Sequence, residues 1–280
     1  LGGTTGLTYR PSTAYDHTGG DGIEDLPFVT QTVAAQTISN GLGWSATTLF
    51  TYSGGTFNSM EREFLGFAYA KVTDPIGTAS ESWFHQDTHL KGRPFKQEAK
   101  DAEGRLFTSA ENSWACRNLF PDSPVHVHFC HLASTTSTVF DGDESSKQVR
   151  TQYEYDSYGN VTRTIAEGDV AVTGDERTAT TEYVLNPSVW LMGFPSHTVT
   201  TDAQGTKIAE GWVTYDGNAA PTDSPTKGLV TQQEAWLRNP VTGAEEKVAT
   251  TSTYDPYGNR VSSTDSLGRT TTTEYDPQGI

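Results

Sequence analysis

The chain has 280 residues, enough for one large or two ordinary domains, and it carries 35 acidic against 19 basic side chains for a formal net charge of −16. That charge argues against nucleic acid or an anionic membrane as a partner, since both need a basic surface, and no apolar run of about 18 residues is present to cross a bilayer as a helix. The 43 threonines, with 12 Tyr, 12 Phe and 6 Trp, favour strands, while 27 Gly and 13 Pro supply turns, so the composition predicts an all-β fold.

The sequence opens on Leu1-Gly2-Gly3-Thr4-Thr5, inside a phrase, and stops at Ile280, so neighbouring segments are expected to cover its strand edges. Residues 7–12 read as a strand ending in proline. Residues 16–25 hold four acidic side chains but lack the Asp-x-Asp-x-Asp-Gly spacing of a calcium loop, and so read as a solvated loop. Strands resume at 28–33 and 46–52. Phe95, Gln97 and Ala99 alternate with Lys96, Glu98 and Lys100 before a turn at Asp101-Ala102-Glu103-Gly104, and this period of two favours a strand over a short helix at 94–102. Beyond Ala133 a Ser/Thr-rich run leads into Asp141-Gly142-Asp143-Glu144-Ser145-Ser146, a polar break that divides the chain into expected regions 1–134 and 135–280. A hairpin follows at 148–165, then an apolar phrase Val189-Trp190-Leu191-Met192-Gly193-Phe194-Pro195, with further turns or strand starts at 202–205, 228–230 and 239–243.

The last stretch discloses a repeat. Tyr254 and Tyr275 each open the phrase Tyr-Asp-Pro-x-Gly, 275 − 254 = 21 residues apart, and related phrases stand at Tyr155-Asp156-Ser157-Tyr158-Gly159-Asn160 and Tyr215-Asp216-Gly217-Asn218. Asp-x-x-Gly occurs eight times, at Asp16, Asp74, Asp101, Asp156, Asp202, Asp255, Asp265 and Asp276. Asp in first position bonds the backbone ahead of it and Gly in fourth takes the left-handed conformation, so each phrase reads as a hairpin turn, apart from Asp16 in its loop. Tyr155, Asp156, Gly159, Tyr254, Asp255, Gly258, Tyr275, Asp276 and Gly279 are therefore the candidate structural repeat, with each tyrosine packing over a neighbouring hairpin.

Cys116, His126, His128, Cys130 and His131 form the one dense group of metal-capable side chains. Two thiolates and two imidazoles can hold zinc tetrahedrally, but no Cys-x-x-Cys is present; a Cys116 to Cys130 disulfide and two unbridged thiols are the alternatives. His17, His85, His89 and His197 are scattered and read as structural. Tyr9, Tyr52, Phe64, Phe67, Trp83 and Trp114 either line a sugar groove or, as is commoner in β chains, fill the inner face of a sheet. Neither a Gly-x-Ser-x-Gly elbow nor a Gly-x-x-x-x-Gly-Lys-Ser loop occurs, so no cofactor is expected.

Gly2-Gly3-Thr4-Thr5, Leu7-Thr8-Tyr9-Arg10-Pro11-Ser12, Leu26-Pro27-Phe28, Glu61-Arg62-Glu63-Phe64 with Gly66-Phe67, Trp83-Phe84-His85 and Gly92-Arg93-Pro94, in that order, resemble the middle region of the B subunit of toxin-complex (Tc) insecticidal toxins. The Tyr-Asp phrases resemble the Rhs/YD repeats that follow it there. The resemblance implies a curved shell of antiparallel hairpins, part of a secreted virulence protein, whose partners are neighbouring shell segments and an enclosed toxic or unfolded polypeptide, with no enzyme activity. It also points to a weak alternative, aspartyl self-cleavage, since Asp255-Pro256-Tyr257-Gly258 and Asp276-Pro277-Gln278-Gly279 look like the paired cleavage phrases of Rhs-type shells. From a different class, an extracellular adhesin or carbohydrate-binding module using exposed tryptophans is the competing expectation.

Overall fold

In a computed structural model, which describes residues 2–19, 22–123, 127–142 and 145–276, the backbone is antiparallel β-structure almost throughout. β1 (Thr4–Pro11) pairs with β2 (Gln31–Ser39), and each later strand pairs with its predecessor through β3 (Ser45–Asn58), β4 (Glu63–Thr73), β5 (Ala79–Phe84), β6 (Pro94–Lys100), β7 (Leu106–Asn118) and β8 (His128–Phe140). After β9 (Ser146–Tyr155), a second series runs through β10 (Val161–Asp169), β11 (Arg177–Asn186), β12 (Leu191–Asp202), β13 (Lys207–Tyr215), β14 (Val230–Arg238), β15 (Glu245–Tyr254), β16 (Arg260–Thr264) and β17 (Thr270–Thr272). Two single 3-10 turns, Ser12–Ala14 and Pro187–Val189, are the only helical segments among the described residues. None is long or apolar enough to cross a membrane.

Period-two alternation explains the strands, and short connections, most of them of four or five residues, explain why they pair in sequence order. The 94–100 segment is a strand, as its alternating charge predicts. The chain forms two compact units, 1–150 and 151–280, and the division falls inside β9. The Ser/Thr-rich run after Ala133 is the second half of β8, where the hydroxyls are at home on a pleated sheet.

Little of the chain is sequestered. The described core comprises Leu26, Leu65, Ala79, Val184 and Tyr215, and the accessible surface is 17689 Å², against roughly 12,000 Å² for a compact globule of the same mass. Among the described residues the extensive strand contacts are between neighbours in the meander. Stability therefore comes from the ladder, the turns and two local thickenings.

In the first unit the thickening is the excursion between Ser12 and Thr30. His17, only 1% exposed, accepts the Gly55 N–H at Nδ1 (2.9 Å), which places its proton on Nε2 for donation to the Ser12 carbonyl (2.8 Å). Phe28 meets Phe57 and Phe64 edge-on at 5.4 and 5.7 Å, and Tyr52, Phe64 and His17 gather round Phe67. Gln86 ties the same region together, donating through Nε2 to the carbonyls of Gly54 (2.5 Å) and Gly66 (2.9 Å).

In the second unit the thickening is the loop 216–229. Asp216, at φ 57°, closes it by accepting N–H groups from Thr226 (2.6 Å), Lys227 (2.9 Å) and Gly228 (3.0 Å) on Oδ2 and from Leu229 (2.8 Å) on Oδ1. Gly228 is required there: at φ 80° its Cβ would lie 2.2 Å from the Phe194 ring. Pro225 is fully buried, its carbonyl accepts from Asn186 Nδ2 (2.8 Å), and Phe194 meets Tyr215 edge-on at 5.3 Å.

Candidate functional site

Six of the Asp-x-x-Gly phrases, those of Asp74, Asp101, Asp156, Asp202, Asp255 and Asp265, share one geometry. Oδ1 of each aspartate accepts the N–H groups two and four residues ahead at 2.7–3.0 Å. The backbone N–H of the aspartate donates to the carbonyl four residues on, and the glycine N–H returns to the aspartate carbonyl. Each glycine lies between φ 77° and 95°, where a side chain would be strained. One carboxylate thus satisfies the orphan donors of a whole turn.

The residue after the glycine completes the device, which sequence reasoning missed. Oδ2 accepts from Asn160 Nδ2 in the Asp156 turn (2.8 Å), Asn259 Nδ2 in the Asp255 turn (2.9 Å), Arg105 Nε in the Asp101 turn (2.6 Å) and Arg269 Nε in the Asp265 turn (2.7 Å). The signal lay in the sequence as a recurring Gly-Asn or Gly-Arg. Asn160 goes further, donating to the Met192 carbonyl (2.7 Å) and so linking its turn to the start of β12.

The tyrosines act across strands. The hydroxyl of Tyr183 donates to Val161 (3.0 Å), that of Tyr215 to Pro195 (2.8 Å), that of Tyr254 to Val230 (2.7 Å) and that of Tyr275 to Arg260 (3.2 Å). Tyr254 lies opposite Arg260 of β16 in the ladder while its hydroxyl reaches the first residue of β14, so one residue joins three strands, two of them by its backbone. Tyr155 ends β9, half-buried, and burial pushes its phenol up. Tyr183 stitches without any Asp-x-x-Gly phrase of its own and was not singled out by sequence. Gly279, with the rest of the Asp276 turn beyond Asp276, lies outside the described residues.

The Cys/His group resolves against zinc. Cys116 and Cys130 face each other in the β7–β8 register and form a disulfide (2.01 Å), so neither sulfur is a thiolate available to a metal. No group of three or more metal-capable side chains occurs among the described residues, and His126 lies outside them. His128 stacks on His89 at 3.8 Å between ring centres, and His131 lies against Phe129.

Asp255 is equally engaged. The Asn259 amide, and behind it the N–H groups of Asn259 and Tyr257, hold its carboxyl below the usual range. The aromatics are divided: Tyr52, Phe64 and Phe67 belong to the cluster around His17, Tyr9 is exposed on β1, and the Trp114 indole donates to the Pro94 carbonyl (3.0 Å) beneath Arg93. Trp83 lies between Tyr69 and the Lys96 ammonium, and Trp190 is 80% exposed at the left-handed end of a 3-10 turn.

Residues 1–98 match the family described as insecticide toxin TcdB middle/N-terminal region. A likeness of fold extends over the whole chain. A crystal structure of TcdB2-TccC3 is similar over 100% of this chain and 23% of its own, at 14% identity and a TM-score of 0.71. The Photorhabdus luminescens Tc holotoxin pore is similar over 100% of this chain and 22% of its own, at 14% identity and a TM-score of 0.70. At that identity the likeness is one of fold, and the chain spans under a quarter of the length of these relatives. No curated protein sequence matches it.

Proposed function

We propose that this chain is a wall segment of a β-shell that encloses a toxic or unfolded polypeptide until delivery. Residues 1–134 then serve as the TcdB-type region and 135–280 as YD-type hairpins. The observation that carries the proposal is a sheet with almost no sequestered core, in which carboxylates and tyrosine hydroxyls satisfy backbone groups locally. Such a device covers area with one layer of chain, as an enclosure requires and a solid catalytic domain does not. The solved structures with this fold contain TcdB2 joined to TccC3, which supports neighbouring shell segments as partners and secretion as the setting, in keeping with the Cys116–Cys130 disulfide. In this role the chain performs no chemistry. Limited proteolysis of the full-length polypeptide that carries this segment, assembled with its partners, tests the idea. The enclosed polypeptide should resist protease, and Asp156→Ala with Asp255→Ala should speed its cleavage; cleavage as fast as in the free polypeptide would refute enclosure.

A further inference from the structure

In each unit the two faces of the sheet differ in charge. In the second unit, Glu182, His197, Trp212 and Glu234 lie opposite one another in register across β11 to β14. There His197 Nε2 bonds Glu210 (2.8 Å), Lys247 sits 3.4 Å from the centre of the Trp212 ring, and Lys207 meets Glu210 (2.8 Å) beside Trp236. One residue along each strand, on the other face, the row is Thr181, Thr198, Gly211, Ala235 and Val248. The next row, Val213, Gln233 and Thr250, is also uncharged, and the charges on that side, such as Arg177 and Glu246, stand at strand ends.

The first unit repeats the division. Lys71, Glu81 and Glu98 share one face, where Lys100 bridges Glu81 and Glu98 at 2.8 Å each. The opposite row reads Val72, Ser80, Ala99, Thr108 and Val139. These side chains are small, and no Trp or Arg stands among them to anchor a folded partner. Where hydroxyls meet, as Thr181 and Thr198 do at 3.2 Å, they satisfy each other. A protein surface built for water carries charge at about a quarter of its positions or more, and here the charge has been sorted to one side.

We propose that the uncharged face of each unit is the one presented to the enclosed polypeptide, and that its ligand class is a non-native, extended chain of any net charge. A face whose charges stand only at the strand ends does little to attract or repel a guest by sign, which matters in a molecule of net charge −16. Without deep anchors it makes many weak contacts and no tight one, so a guest can slide and leave. This inference rests on the enclosure reading and adds the sidedness.

The test uses photo-cross-linking with p-benzoylphenylalanine at four exposed positions, Gln233 or Ala235 on the uncharged face and Glu182 or Lys247 on the charged face. The probe is reduced, carboxamidomethylated α-lactalbumin, with native α-lactalbumin as control, at physiological ionic strength, and circular dichroism confirms that each variant folds. Several-fold more adduct with the unfolded probe from Gln233 and Ala235 than from Glu182 and Lys247 is the expected result. Equal or reversed yields would overturn the sidedness and leave enclosure standing. Equal capture of native α-lactalbumin would overturn the ligand class. Cross-linked dimers of the chain without any probe would put a second copy on this face instead. Absence of adduct from all four positions would remove both the sidedness and the enclosure reading.

Discussion

In residues 1–150 the chain leaves the sheet between Ser12 and Thr30 and anchors the excursion on a buried imidazole, whereas in residues 151–280 the excursion 216–229 is anchored on a carboxylate. His17 makes two bonds inside an aromatic cluster. Asp216 gathers four backbone N–H groups and touches the cluster of Tyr215 and Phe194 only through the chain. The first anchor works chiefly by filling space and the second by charge. The same one-layer sheet can therefore be fastened in two ways, and the two should respond differently to substitution and to acid.

The largest expected effect is at Asp216. Asp216→Ala leaves four N–H groups without their acceptor and should cost the second unit about 3 kcal/mol, read as a lowered urea midpoint of the Trp212 and Trp236 fluorescence change. His17→Ala removes two buried hydrogen bonds and the ring that packs on Phe67, and should cost the first unit about 2 to 3 kcal/mol while the second keeps its midpoint. Equal loss in both units from either variant would show that the anchors are not local.

Acid separates the two more finely. Burial works to raise the Asp216 carboxyl, but the N–H groups of Lys227, Gly228, Leu229 and Thr226 outweigh it and bring the pKa down to about 2 from 3.8. A carboxyl depressed by folding contributes stability that is fully present above its unfolded pKa. That contribution, about 1 to 2 kcal/mol after allowance for solvent screening, is lost as the pH falls from about 4 toward 2. Asp216→Asn should flatten that part of the pH profile of the second unit, and an unchanged slope would place the acid sensitivity elsewhere. The smallest expected effect is Tyr254→Phe, which removes one hydroxyl bond to Val230 and should cost about 1 kcal/mol. Hydrogen exchange at the amides of β14 would locate it, faster exchange confined to β1–β4 being the contrary result.

The strands and the turns were legible because both are local. A period of two needs only neighbouring residues, and Asp-x-x-Gly encodes a five-residue hydrogen-bond pattern that no tertiary contact has to supply. What the sequence left open was register. Cys116 and Cys130 stayed open between zinc ligands, a disulfide and unbridged thiols until β7 and β8 were aligned opposite each other. The Asp216 anchor was hidden for a similar reason: Asp216-Gly217-Asn218 lacks the fourth-position glycine, and its partners Thr226 to Leu229 stand ten or more residues away. Asn160, Asn259, Arg105 and Arg269 were visible as a repeated residue after glycine, but only the carboxylate geometry gives them a role. The sorting of charge between faces also depends on register across many strands, which alternation within one strand cannot fix.

Hydroxyl-radical footprinting of the chain in solution, read by mass spectrometry at Val72, Val139 and Leu237, bears most directly on a wall one layer thick. These apolar side chains lie away from the ion pairs of the opposite face and are 36%, 47% and 47% exposed. Their oxidation rates, divided by the intrinsic reactivity of each side chain type and by its exposed area, should be near that of the exposed turn residue Leu267. Protection of all three, with only the charged face labelled, would mean that another layer covers them and that the chain is a solid-cored protein.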